Sequence, residues 1–169
     1  MDCCSVNGLD QMFDQANARK ELKAYWKKGL DKRARLLVDF LKAQDLAGSS
    51  LLEIGFGIGA LHLELLKAGA GKAVGVEASP AYLQAARALA EQLGLQDAVV
   101  YQRMDFAQRG QEVAEADIVL LDRVICCYPD MVGLVTSSAQ HARRFYALTF
   151  PRGAWWMRLA GFLFNAFMA

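Results

Sequence analysis

The feature that most constrains this chain is the run Glu53-Ile54-Gly55-Phe56-Gly57-Ile58-Gly59, in which three glycines alternate between an apolar segment and an amphipathic one. Without a Cβ, these positions let the backbone turn tightly and approach a ligand closely. The helix that follows offers main-chain N–H groups with no intrahelical partner. Ser50 to Ile54 predicts a short buried strand, and Leu61, Leu65 and Leu66 predict the helix after the loop. The unit then recurs. Ala73 to Glu77 predicts a second strand, Pro80 to Leu93 a helix with Ser79 as cap, and Ala98 to Arg103 a third strand. Ile118 to Leu121 predicts a fourth strand, Met131 to Ala142 a helix, and Arg144 to Thr149 a fifth strand. Strands alternating with helices imply an α/β class with a parallel sheet covered on both faces.

Upstream, Leu9 to Gln44 is helical in character, with Leu36, Leu37, Phe40 and Leu41 on one face, and Gly29 divides it into two helices. With 169 residues, 54% of them hydrophobic, the chain suits one domain of roughly 100 to 200 residues. It is read as a helical cap (1–48), an α/β core (49–150) and an apolar C-terminal helix (151–169). Nineteen basic and eighteen acidic side chains give a formal charge of +1, so no long-range field marks a nucleic-acid binder. Cys3-Cys4 and Cys126-Cys127 are sequence neighbours, poorly placed for a disulfide or a metal clamp, and no metal site is expected. The N-terminus lacks an apolar stretch of the secretory kind. The tail is interrupted by Arg158 and is shorter than the roughly 20 apolar residues that span a bilayer. A cytoplasmic protein without a membrane span is expected.

In an open parallel sheet, ligands lie at the carboxyl ends of the strands. Four positions there carry candidate site residues. The first is the loop with Glu53, Gly55, Phe56, Gly57 and Gly59. The second is Glu77, followed by Ala78, where an acid accepts hydrogen bonds from ribose hydroxyls. The third is Asp105-Phe106, a carboxylate and a ring suited to the amino group and the face of adenine. The fourth is Asp122-Arg123, near where a transferred group would sit.

Leu51 to Gly59, continued by Gly75-Val76-Glu77-Ala78-Ser79-Pro80, resembles motifs I and II of class I methyltransferases, and the likeness extends to about Phe150. The resemblance implies a Rossmann-like, doubly wound, mainly parallel sheet of order 3-2-1-4-5, with S-adenosylmethionine as cofactor. It also implies that Glu53 and the glycines hold the methionine part, Glu77 the ribose and Asp105 the adenine. The same glycines satisfy the dinucleotide pattern GxGxxA through Gly55, Gly57 and Ala60, so an NAD enzyme is the alternative. Glu53 weighs against it, because a carboxylate repels a pyrophosphate and attracts an ammonium group.

Methyl transfer from a sulfonium needs little acid–base help, so positioning is expected to dominate. Asp122, Tyr128 and His141 are the candidate general bases, with Asp122 and Tyr128 carried forward as catalytic. His62 and His141 are read as structural. No Asn/Asp-Pro-Pro-Tyr follows strand four. Leu121 to Asp130 there is instead loosely similar to magnesium-protoporphyrin methyltransferases, where a Tyr-Pro pair recurs, and a small-molecule acceptor is expected. Cys126-Cys127 is read as buried rather than as an arsenite-binding pair. Tyr25, Trp26 and Lys28 sit in a cap segment that either closes over the cofactor or packs as core, and Tyr25 is included among the cofactor residues.

A complete class I sheet carries a β6–β7 hairpin, and the resemblance leads to the expectation that this hairpin is missing here. Trp155, Trp156, Phe162, Phe164 and Phe167 in the tail raise the expectation of a homodimer through that helix. The alternative to an active enzyme is a catalytically impaired cofactor-binding or interaction module.

Overall fold

The structure, a computed structural model, describes residues 13–126 and 128–149. Helices α1 (Gln15–Lys28) and α2 (Lys32–Lys42) come first, parted at Gly29, whose φ of 69° ends α1. Asp14 and Asp31 cap the two helices through Asn17 and Ala34 N–H. Strands β1 (Ser50–Ile54), β2 (Lys72–Glu77), β3 (Val99–Arg103), β4 (Ala116–Asp122) and β5 (Ala142–Thr149) follow, with α3 (Ala60–Lys67), α4 (Pro80–Gln92), the single turn α5 (Phe106–Arg109) and α6 (Met131–Gln140) between them.

All pairings are parallel, and the order is β3-β2-β1-β4-β5, as the sequence resemblance implies. The largest boundary differences lie at β4 and β5. Ala116 pairs with Ala142, so both strands begin two residues earlier than hydrophobicity suggests. The turn α5 is local structure that periodicity did not signal.

Period-two alternation sends β1 side chains to two cores. Leu51, with Ala73, Val99, Ile118 and Leu120, packs under α3 and α4 and against the inner face of the cap, including Ala18, Tyr25, Val38 and Leu41. Leu52 and Ile54, with Val76, Val119 and Leu121, meet Phe106, Val113 and Leu134 on the other face. Full burial of each large aliphatic side chain stabilises by about 1.5–3 kcal/mol, and this sets the sheet as a rigid platform for its loops. Because β1 lies between β2 and β4, the chain reverses direction of winding there. In open sheets of this kind the carboxyl ends of the strands at such a switch point, here the loops after β1 and β4, are where ligands bind. No helix among the described residues is long and apolar enough to cross a membrane. The tail on which the homodimer expectation rests lies outside the described residues.

Candidate functional site

The glycine loop needs its glycines for three different reasons. Gly55, Gly57 and Gly59 have φ of 63°, 56° and 75°, in the left-handed region that costs other residues roughly 1–2 kcal/mol. At Gly55 a Cβ would stand 2.6 Å from Val124 Cγ2, so this is where the loops after β1 and β4 touch. At Gly59 it would meet His62 Cε1 at 2.7 Å. At Gly57 a Cβ would make ordinary contacts with Tyr82 Cδ1 at 3.6 Å and Glu21 Oε2 at 3.8 Å, so the backbone conformation alone calls for glycine there.

Glu77, at the end of β2, accepts from Gly57 N–H at 3.1 Å and Ser79 N–H at 2.9 Å. Burial pushes its carboxyl up from the ordinary range. The N–H groups of Ser79, Gly57 and Ala78 pull it down, and the charge of Glu53 adds to the rise. A partly desolvated carboxylate under this load gains from further hydrogen-bond donors, such as vicinal hydroxyls. Ala78 beside it is exposed.

Glu53 is placed differently from the expectation. It points to the same face as Leu51, beneath α3, and is 1% exposed. Its Oε2 accepts from His62 N–H at 3.1 Å and faces His62 Nδ1 at 2.7 Å. His62 Nε2 in turn lies 3.0 Å from Tyr101 Oη, which also donates to the Ala86 carbonyl at 3.3 Å. Burial and then the charge of Glu53 push the Tyr101 hydroxyl up. The acid therefore anchors the start of α3 from within the core, and the structural reading of His62 takes the form of a fully enclosed link. Phe56 is also turned inward, packed on Tyr101, His62, Leu83 and Ala86; only its main chain borders the loop.

Asp105 caps α5 through Ala107 N–H at 3.1 Å and receives the Tyr128 hydroxyl at 2.9 and 3.0 Å. Two residues picked from distant segments are thus brought together. Burial, then the hydrogen bond and charge of Asp105, push the Tyr128 hydroxyl up to about 12. It stays protonated at neutral pH and serves as a donor rather than as the base the sequence suggested. Phe106 is 3% exposed and stacks edge-on with His141, so its ring is core and not a cover for adenine. His141 faces the Ser137 and Gly110 carbonyls with its two ring nitrogens, a structural link as expected.

Asp122 ends β4 and is gripped by Arg33 of the cap, whose Nε and Nη2 donate to its two oxygens at 2.9 and 3.2 Å. Thr149 Oγ1 donates to the same carboxylate. Its lone pairs are directed at the cap and at β5, which makes it a positioning group and not a poised base. Arg123 is the described non-glycine residue with positive φ, 61°, and strained backbone of this kind concentrates at functional sites. Cys126 Sγ donates to the Arg123 carbonyl at 3.2 Å and is exposed, contrary to the buried reading; Cys127 lies outside the described residues.

Tyr25 does not reach the loop. It is buried against α3, donating to Glu64 Oε1 at 2.5 Å and accepting from Lys67 Nζ at 3.2 Å. Packing wins at this position because Ala18, Leu22 and Tyr25 form the apolar stripe of α1. The same helix brings in a residue that sequence reading missed. Glu21 accepts the Tyr82 hydroxyl at 3.0 Å beside Gly57. An acid on the inward stripe of a helix was the available signal, since buried polar positions are the informative ones. Arg33, also missed, had no such signal. No cluster of three or more His, Cys, Asp or Glu among the described residues could hold a metal ion.

A family model described as a methyltransferase domain matches residues 51–144, more than half of the chain. The chain is 36% identical over 102 residues to the ribosomal protein L11 methyltransferase of Pseudomonas aeruginosa, covering 59% of this chain and 34% of that protein. It is 36% identical over 131 residues to the enzyme of the same name from Marinobacter nauticus, covering 77% of this chain and 39% of that protein. It therefore spans between a third and two fifths of these curated relatives. A solved structure of magnesium protoporphyrin IX methyltransferase from Synechocystis PCC 6803 with bound SAH superposes with a TM-score of 0.67 at 22% identity, covering 80% of this chain and 62% of that one. This likeness is one of fold. The curated relatives are named for a protein that they methylate, and this overturns the expectation of a small-molecule acceptor.

Proposed function

The chain belongs to the methyltransferase-domain family, and from that premise we propose that it binds S-adenosylmethionine at the carboxyl ends of β1, β2 and β4 and catalyses methyl transfer to a polypeptide acceptor. The observation that carries the reading is the pairing of the Gly57 turn with the Glu77 carboxylate at 3.1 Å. The donor set fits the cofactor. Gly57 makes a left-handed turn that presents bare main chain beside Glu21, and a buried acid that is costly to ionise stands where ribose hydroxyls would relieve it. A dinucleotide fits less well, because Glu77 and Glu21 flank Gly57 with negative charge that a pyrophosphate would oppose.

When bound, the cofactor supplies a sulfonium methyl that an acceptor lone pair displaces in line, the carbon–sulfur bond breaking to leave a neutral thioether. The residues of this chain bind and orient. Glu77 holds ribose, and Asp105, fixed by the Tyr128 hydroxyl, takes the adenine amino group. The turn at Gly55 to Gly59 lets main chain line the amino-acid end. Asp122 and Arg123, at the end of β4, bound the side from which an acceptor enters. With Arg33 and Thr149 fixing Asp122, catalysis rests on positioning, which contributes up to roughly 7–11 kcal/mol of barrier lowering in well-oriented systems.

The polypeptide acceptor is supported by the names of the curated relatives. Incubation of the chain with tritiated S-adenosylmethionine and ribosomal protein L11 tests it. Label on the protein acceptor is expected; no label on it, with cofactor binding intact, would sink the acceptor half of the reading.

A further inference from the structure

The enclosure of Glu53 with His62 raises the question of which acid meets the cofactor's ammonium group. We propose that it is Glu21 of α1, an inference that rests on the S-adenosylmethionine reading above. Glu21 lies, half-buried, on the stripe of α1 that carries buried Ala18 and Tyr25, so the helix turns it toward α4 and the glycine loop. Its Oε1 is fixed by the Tyr82 hydroxyl at 3.0 Å. Its Oε2 lies 3.8 Å from the point where a Cβ on Gly57 would stand. The N–H of the same glycine is held by Glu77 at 3.1 Å. Gly57 thus sits between two carboxylates, one at the end of β2 and one from the cap.

The placement is not that of a swinging surface side chain. Ser79 Oγ, at the start of α4, donates to the Phe13 carbonyl at 2.7 Å and ties the approach to α1 onto the same corner. Tyr82 is buried, with its hydroxyl pushed up by burial and then by the charge of Glu21, so it remains the donor in this pair. A carboxylate anchored through one oxygen and facing the bare main chain of a glycine turn with the other suits an α-ammonium group, whose N–H donors make the stronger, charge-assisted kind of hydrogen bond. The nucleoside end is served by Glu77, so Glu21 should act on the amino-acid end alone.

Calorimetric titration of the full chain and of Glu21→Gln with S-adenosylhomocysteine and with 5′-methylthioadenosine separates the two ends, because the second ligand keeps the nucleoside and lacks the amino acid. Circular dichroism checks that the isosteric variant is folded. S-adenosylhomocysteine should weaken by roughly tenfold or more in Glu21→Gln, the effect of losing one charged hydrogen bond, while methylthioadenosine changes by less than about twofold. Tyr82→Phe, which frees the carboxylate without removing it, should weaken S-adenosylhomocysteine less than Glu21→Gln does. Unchanged S-adenosylhomocysteine affinity, or equal weakening of both ligands, would overturn the role of Glu21 while leaving the cofactor reading standing. A wild-type chain that binds neither ligand would overturn both.

Discussion

Truncating His62 to alanine should destabilise the protein far more than a typical helix substitution. His62 is 0% exposed and Glu53 1%, with His62 Nδ1 2.7 Å from the carboxylate. Removing the ring leaves a buried carboxylate held by the main-chain N–H of residue 62 alone, and breaking a buried pair in this way costs about 3–5 kcal/mol. Against a total stability of about 5–15 kcal/mol for a domain, that is a large share. Adding Glu53→Gln removes the stranded charge and should restore about 1–2 kcal/mol, since an unpaired neutral amide is less costly to bury than an ion. Denaturant titrations followed by circular dichroism, with equal slopes required of all variants, give the numbers. A cost for His62→Ala below about 1 kcal/mol, or no recovery from Glu53→Gln, would refute the buried pair and return Glu53 to the ligand side of the loop.

Two further outcomes separate the site from its scaffold. Gly57→Ala places its Cβ in ordinary contact with Tyr82 and Glu21, without overlap, so it should cost chiefly the left-handed strain of roughly 1–2 kcal/mol, yet weaken S-adenosylmethionine more than about tenfold by putting a methyl group between the turn and Glu21; unaltered affinity in a calorimetric titration would count against the loop as the binding cradle. Tyr25→Phe should lose about 1.5–3 kcal/mol, as for a hydrogen bond to a charged group, without changing cofactor affinity. Although burial raises the Glu64 carboxyl, donors from Tyr25 and Lys67 hold it below its ordinary 4.5. That stabilisation is present above 4.5 and lost as pH falls through the lower folded value, so the Tyr25→Phe deficit should shrink in acid; a pH-independent deficit in thermal melts would contradict the link.

The alternating strands and helices and the glycine loop were legible because they are written locally, as apolar runs, turn residues and capping signals within a few positions of one another, whereas the strand order came from the resemblance to class I methyltransferases. Side-chain direction was not. Glu53, Phe56 and Phe106 all adjoin motif positions, but each turns into the core. For Glu53 the alternation of β1 held the answer, since Leu51 and residue 53 share the face under α3. Phe106 is the first residue of a one-turn helix that no periodicity marks. Tyr25 and Glu21 show the converse. Both lie on the inward stripe of α1, and only the packing of α1 on α4 and of α2 on α3 decides that the acid reaches the loop and the phenol meets Glu64. The Arg33–Asp122 contact joins residues 89 positions apart, a distance over which a single sequence carries no pairing signal.

The central claim is that Glu77 and the glycine turn form a binding site for S-adenosylmethionine, and calorimetric titration of the folded chain with S-adenosylmethionine and with NAD, repeated with Glu77→Ala, tests it most directly. Micromolar binding of S-adenosylmethionine that is lost in Glu77→Ala, with no heat from NAD, is the predicted result. No S-adenosylmethionine binding by folded protein, binding that survives Glu77→Ala, or preferential binding of NAD would contradict it.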